Sequence, residues 1–218
     1  MMRRLRITPS RIAAAIAVAI ATSVGVGYAA SLGLSSNQLH AWGQTLTKGT
    51  CNQTATTADD TYVQQALPTS TAGGTATTLT ISPVAAAQDY AFVRFNLSGC
   101  SLPTTAGADS AVLTVNVRTA GADTISVFPV TSSWSSSTLN WNGVGGLTIG
   151  STATGTFSAS TTGTKTVTVT ADVDAAIKAG TLWGWELRAT SGVATVAIGA
   201  AENGTAGNRP SMTLSYEK

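Results

Sequence analysis

The chain has 218 residues, enough for one domain with a targeting segment, and the 43% that are hydrophobic suffice for a sizeable core. Only 10% are charged; Thr, Ser, Gly and Ala fill most other positions, which argues against a helical protein and predicts an all-β one. The formal charge of +2 comes from four arginines at the N-terminus, and beyond them no basic patch or aromatic-basic interleaving offers nucleic acid a footprint.

Those arginines, Arg3, Arg4, Arg6 and Arg11, precede an uncharged apolar run from Ile12 to Ala21 and then the small-residue stretch Gly25-Val26-Gly27-Tyr28-Ala29. Basic, apolar and small segments in this order make residues 1–29 a secretory signal, with Gly27 and Ala29 at the two small positions before a cut after Ala29. The alternative is an uncleaved anchor, since residues 12–34 are long enough to span a bilayer; this is the one route to membrane association. Cleavage leaves 8 basic against 10 acidic residues, a net charge of −2. A secreted or cell-surface location also places Cys51 and Cys100 where disulfides persist. A bond between them closes a loop of about 50 residues and stabilises the fold by roughly 4 kcal/mol in the chain-entropy picture.

Residues 30–57 read as an extended leader, polar and irregular, with Leu39, Trp42 and Leu46 as its apolar points and Cys51 as its tie. The globular domain, residues 58–218, begins at Ala58-Asp59-Asp60-Thr61-Tyr62-Val63. Strand-like runs then recur at 75–81, 90–97, 111–118, 124–130, 147–149, 152–157, 164–169, 182–189, 193–198 and 211–216, with Gly, Pro, Asn, Asp and Ser between nearly all of them. In the third run Ala111, Leu113, Val115 and Val117 alternate with Val112, Thr114, Asn116 and Arg118, the period of a strand with one buried face. The run at 124–130 follows across Thr119-Ala120-Gly121-Ala122-Asp123, so the two are expected to form a hairpin. Trp134 and Trp141 are expected to plug one end of the core. A helix is expected over Asp172 to Ala179, with Val173 and Ile177 on one face, Asp172 and Asp174 at its start, Lys178 in its last turn and Gly180 as its left-handed cap. These elements predict an antiparallel β-sandwich, jelly-roll-like, with one short capping helix.

Catalytic stock is thin: one His, no G-x-S-x-G and no H-E-x-x-H, leaving only the acidic residues, which sequence does not pair across a substrate. Asp59, Asp60, Glu202 and Asn203 could supply oxygens to a hard cation such as calcium. Arg94, inside the apolar strand Phe92-Val93-Arg94-Phe95, calls for a carboxylate partner, for which Glu202 is the candidate. Indole rings stack on the apolar faces of sugars, which makes Trp42, Trp183 and Trp185 the candidate ligand contacts; Trp183 and Trp185, two apart, are expected on the same face of one strand.

Taken in order, Ala58 to Val63, Ala91-Phe92-Val93-Arg94-Phe95-Asn96-Leu97-Ser98, Ser110 to Leu113, Ile125-Ser126-Val127-Phe128, Trp134 with Thr138-Leu139-Asn140-Trp141-Asn142, Val167 to Thr170, and Ala201-Glu202-Asn203 leading to Arg209-Pro210-Ser211-Met212-Thr213-Leu214-Ser215-Tyr216 resemble the DNRLRE-domain family. The resemblance covers the chain from about residue 58 onward. It implies a secreted β-sandwich similar to carbohydrate-binding modules, often attached to polysaccharide-degrading enzymes or cell-surface proteins. The family's eponymous hexapeptide is absent, and no catalytic domain accompanies the module in this sequence. The expectation is therefore an exported, non-catalytic module that binds polysaccharide or cell-envelope glycan at or outside the cell surface. Its rivals are a structural surface protein that self-associates through strand edges and a polysaccharide lyase or glycoside hydrolase.

Overall fold

In a computed structural model, the structure describes residues 48–54, 58–103, 106–121 and 123–217. The signal or anchor segment and the leader points Leu39, His40, Trp42 and Leu46 lie outside the described residues. Eleven strands are present: β1 (Lys48–Gln53), β2 (Ala58–Gln64), β3 (Thr78–Ile81), β4 (Asp89–Phe95), β5 (Ala108–Thr119), β6 (Thr124–Pro129), β7 (Gly155–Ser158), β8 (Gly163–Thr168), β9 (Trp185–Ser191), β10 (Val196–Gly199) and β11 (Ser211–Glu217). A single helical turn, α1 (Trp141–Val144), and a longer helix, α2 (Thr170–Ala179), interrupt them.

The strands form two antiparallel sheets facing each other across one core. In the first, β5 is the spine: β8 pairs with one edge, while β11 and β10 share the other in tandem, with β1 beyond β11 and β3 beyond β10. The second runs β2-β4-β9-β6-β7. Ala111, Leu113, Val115 and Val117 are buried as their alternation predicts, and they meet Ala91, Val93, Phe95, Ile125, Val127, Trp185 and Leu187 of the opposite sheet. Helix α2 closes one end, with Val173 fully buried. It is fastened by Asp174 Oδ1 accepting from Ala108 N at 3.1 Å and by Asp172 Oδ2 accepting from the indole of Trp185 at 2.7 Å.

Three expectations are corrected. The runs at 111–118 and 124–130 are not a hairpin: β5 and β6 belong to opposite sheets, and the connection between them is pinned instead to Ala159 through Gly121 N and Asp123 O. Residues 48–53 are not an irregular leader but strand β1, paired with β11 along its whole length and joined to the turn after β4 by the Cys51–Cys100 disulfide. Residues 147–149 form no strand, only an isolated bridge from Ile149 to Val130.

The excursion between β6 and β7 does not plug the end of the core either. It covers the outer face of the second sheet, where Trp134 and Leu139 pack on Phe92 and Val63 as a separate apolar cluster, with Tyr90, Trp141 and Trp183 at its margin. Trp134 and Phe92 meet with ring centroids 5.7 Å apart, and the Trp134 indole donates to the main-chain oxygen of Trp183 at 2.7 Å.

Gly184 decides which way the neighbouring tryptophans point. Its φ of +77° interrupts the alternation before β9, sending Trp185 into the inner core and Trp183 outward, and a Cβ there would meet Val93 O at 2.1 Å. Gly184→Ala should therefore cost about 3 kcal/mol or more, because strain and a backbone clash add. Gly180→Ala, at the same φ with nothing within 4 Å of the added Cβ, should cost only about 1 kcal/mol. Denaturant unfolding of the two variants checks the difference; equal costs would contradict the assigned role of Gly184.

Candidate functional site

Asp59 and Asp60 are neighbours in β2, so their side chains leave opposite faces of the sheet. The β2–β4 register sets Asp59 directly across from Arg94 on the outer face. Arg94 Nε donates to Asp59 Oδ2 at 2.9 Å, and the guanidinium lies 5.0 Å from the ring centroid of Trp134 and 5.5 Å from that of Trp183. The partner expected from sequence, Glu202, is not the one found: Glu202 is exposed on the loop after β10, and cross-strand register delivers the nearer carboxylate. Both members of the pair are part-exposed, so the ion pair itself adds only about 1 kcal/mol or less. Contacts with two indoles hold the guanidinium in place, each adding roughly 0.5–1 kcal/mol.

Trp183 and this ion pair form one wall of an open cleft of about 790 Å³ at the end of the sandwich. The opposite walls come from the turn after β4, including Asn96 and Ser98, and from the C-terminal end of α2, including Ile177 and Thr181. The cleft thus combines an indole, a fixed guanidinium–carboxylate pair, hydroxyls and an amide with aliphatic carbon. That mixture can stack against a pyranose ring while hydrogen-bonding its hydroxyls. Its lining holds one carboxylate, Asp59. Of the three tryptophans singled out by sequence, Trp183 lines the cleft; Trp185 is fully buried and not available to a ligand; Trp42 lies outside the described residues. Trp183 and Trp185 do not share a face, since Gly184 breaks the alternation that the spacing assumed.

Beside the apolar cluster, β9 carries a second charged arrangement that sequence reasoning passed over. Glu186 is fully buried across from Phe92 and Phe128, and two residues along the same face Arg188 reaches back to it, with Nε and Oε1 2.7 Å apart. The Arg188 guanidinium lies over the rings of Phe128 and Tyr90, at 4.3 and 5.2 Å, and Tyr90 in turn packs against Trp141. Burial pushes the Glu186 carboxyl up to about 7 even though Arg188 opposes the shift. A Glu and an Arg at i and i+2 in a strand share a face, which was the available signal.

The proposed cation ligands are dispersed. Asp59 is engaged by Arg94. Asn203 Oδ1 accepts from Thr205 N and Asn208 Nδ2, and its amide donates to Thr77 O. Asp60 is buried on the inner face, with Ala201 N donating to its Oδ2 at 2.7 Å. Burial pushes Asp60 up to about 8, Ala201 N–H opposing and Glu202 adding to the shift.

Residues 52–216 match carbohydrate-binding module family 96. The chain belongs to this family. No curated protein sequence matches it. The match supports the carbohydrate-binding-module kinship that the DNRLRE-like motifs implied, under a different family name, and it spans β2 through most of β11, every strand that builds the cleft and its supports.

In this family 96 module the raised carboxyls set a pH dependence. A carboxyl that holds its proton more tightly when folded stabilises the fold below the ordinary carboxylate range and loses that contribution as pH rises through its folded value. For Glu186 that value is about 7 and for Asp60 about 8. In metal-free buffer the melting temperature should fall from about pH 5 to 8, and Glu186→Gln should remove the portion that ends near neutrality. A wild-type profile that rises over this interval would show that neither carboxyl is raised.

Proposed function

We propose that this chain is an exported, non-catalytic module that binds polysaccharide at or outside the cell surface, with the Trp183 cleft as its glycan site. The observation that carries the reading is the outward-facing indole of Trp183 in an open cleft of a chain that belongs to a carbohydrate-binding family. The basic, apolar and small-residue order of residues 1–29 and the Cys51–Cys100 disulfide support export. A non-catalytic role is supported by the cleft itself: hydrolysis of a glycosidic bond needs two facing carboxylates, and the single one in the lining is committed to Arg94. The DNRLRE-like motifs point the same way, toward modules of polysaccharide-active or cell-surface proteins.

One observation favours a second reading. Strand β8 is an edge of its sheet and presents the uncharged row Thr164, Thr166 and Thr168 outward, its one charge, Lys165, leaving the other face and bonding Thr161, an edge guarded by a single lysine.

Retention of the chain on a panel of insoluble polysaccharides, with release by soluble glycan and monitoring of new reducing ends, tests the first reading. Trp183→Ala should weaken retention about tenfold, equivalent to roughly 1.4 kcal/mol, and should still fold, because the Trp134 indole bonds to the main chain of residue 183 and not to its ring. Binding that survives Trp183→Ala would move the site elsewhere. Absence of any binding, together with concentration-dependent assembly on sizing, would replace the reading with the structural one.

A further inference from the structure

We infer that the cleft takes a neutral, acylated sugar, an N-acetylhexosamine unit whose acetyl methyl sits on an aliphatic floor beside Trp183. The inference rests on the glycan reading and names the substrate class of that same site.

The floor is where the inner core comes to the surface. Among the described residues nine partly buried hydrophobic side chains pack against that core, and five of them, Ala58, Leu97, Leu102, Ile177 and Leu182, line the cleft. They come from β2, from the turn after β4 and from the end of α2 with the segment that leads to β9. The space beside them is open: a Cβ added at Gly99 or Gly180, both in the lining, would meet nothing within 4 Å. Aliphatic carbon gathered at one accessible place marks a contact surface. A pyranose offers apolar C–H groups on its ring face, and the flat indole of Trp183 matches that face. Its hydroxyl rim does not match leucine and isoleucine, because hydroxyls set against them lose water without replacement. A methyl substituent on the sugar loses nothing there.

The rim of the cleft suits the rest of an acetamido group. Asn96 Oδ1 accepts from Ser98 N at 2.9 Å, which leaves the Asn96 amide nitrogen to donate to an acetyl carbonyl. The exposed hydroxyls of Ser98 and Thr181 can accept from its N–H. Charge narrows the choice further. Among the described residues Asp59 and Arg94 are the charged side chains of the lining, and they neutralise each other. An acidic sugar would have to displace Asp59 from Arg94, and an amino sugar would have to displace Arg94 from Asp59. A neutral amide displaces neither, so the closed ion pair discriminates against both charged classes.

The test titrates the full chain with short chitin, chitosan and cellulose oligomers of equal length, followed by calorimetry and tryptophan fluorescence. The three share one backbone and differ only in the substituent beside the anomeric carbon, which is acetamido, amino or hydroxyl. The chitin oligomer should bind about tenfold or more tightly than the cellulose oligomer, as expected for one buried methyl and one amide hydrogen bond, and more tightly than the chitosan oligomer as well. Ile177→Ser should cancel most of that preference, whereas Trp183→Ala should weaken both chitin and cellulose oligomers. If Ile177→Ser does not fold, Leu102→Ser carries the same expectation, and the wild-type comparison needs neither variant. Equal affinities for chitin and cellulose oligomers, or tighter binding of an oligomer of uronic acids, with Trp183→Ala still weakening them, overturn the acyl assignment and leave the glycan reading standing. A chitin preference untouched by the serine variants overturns the floor as its source. Failure of every oligomer and of the insoluble polysaccharide panel overturns the glycan reading and this inference together.

Discussion

Ala91, Phe92 and Val93 follow one another in β4 and all three are fully buried. Successive side chains of a strand leave opposite faces, so this is allowed only if both faces of the sheet are covered. One cover is the opposite sheet. The other is the long excursion between β6 and β7, which lays Trp134 and Leu139 over Phe92 and Val63. Most of what is unusual about the molecule follows from that second cover.

The cover is small, and at its margins the sheet must still deal with polar positions that a one-sided sandwich would leave in water. Each is handled by a cross-strand or same-strand ion pair capped by aromatic rings: Arg94 with Asp59 beneath Trp134 and Trp183, Arg188 with Glu186 beside Tyr90 and Phe128. In the Arg188–Glu186 pair the guanidinium keeps contact with solvent over a buried carboxyl, whereas Arg94 and Asp59 are both part-exposed; stacking on rings suits the weakly hydrated, planar arginine side chain in each. The first of these margins opens into the cleft. The make-up of its lining is therefore a by-product of how the sheet closes: the ring that faces the cleft is the same ring that shields Arg94.

The inner side follows a different rule. Trp185 brings its one polar atom to Asp172 on α2, and Tyr216 its hydroxyl to the main-chain oxygen of Cys100 at 2.9 Å, so the large aromatic residues of the core tie the helix and the disulfide turn to the sandwich. Asp60 departs from this pattern. Buried on the inner face of the edge strand β2, it meets Ala201 N and the Glu202 side chain rather than an aromatic partner.

Much of this was legible in the sequence. Low charge, hydroxyl-rich strands and turn residues at short spacing determined an all-β sandwich, since period-two alternation can bury only one face of a strand. The alternation at Ala111 to Val117 identified the spine, and Val173, Ile177 and Gly180 identified the helix. The same alternation, applied to Asp59 and Asp60, would have put those neighbouring carboxylates on opposite faces and separated them as ligands of one cation. Which strand pairs with which was not legible. Residues 111–118 and 124–130 carry all the local marks of a hairpin, yet they enter different sheets, because pairing is decided by partners such as Met212 and Thr168 that lie far along the chain. Likewise Arg94 chose Asp59 over Glu202 through β2–β4 register, and a single left-handed glycine separated Trp183 from Trp185. Local sequence sets the period and face of an element; tertiary structure alone decides what stands opposite, and the cleft is made of what stands opposite.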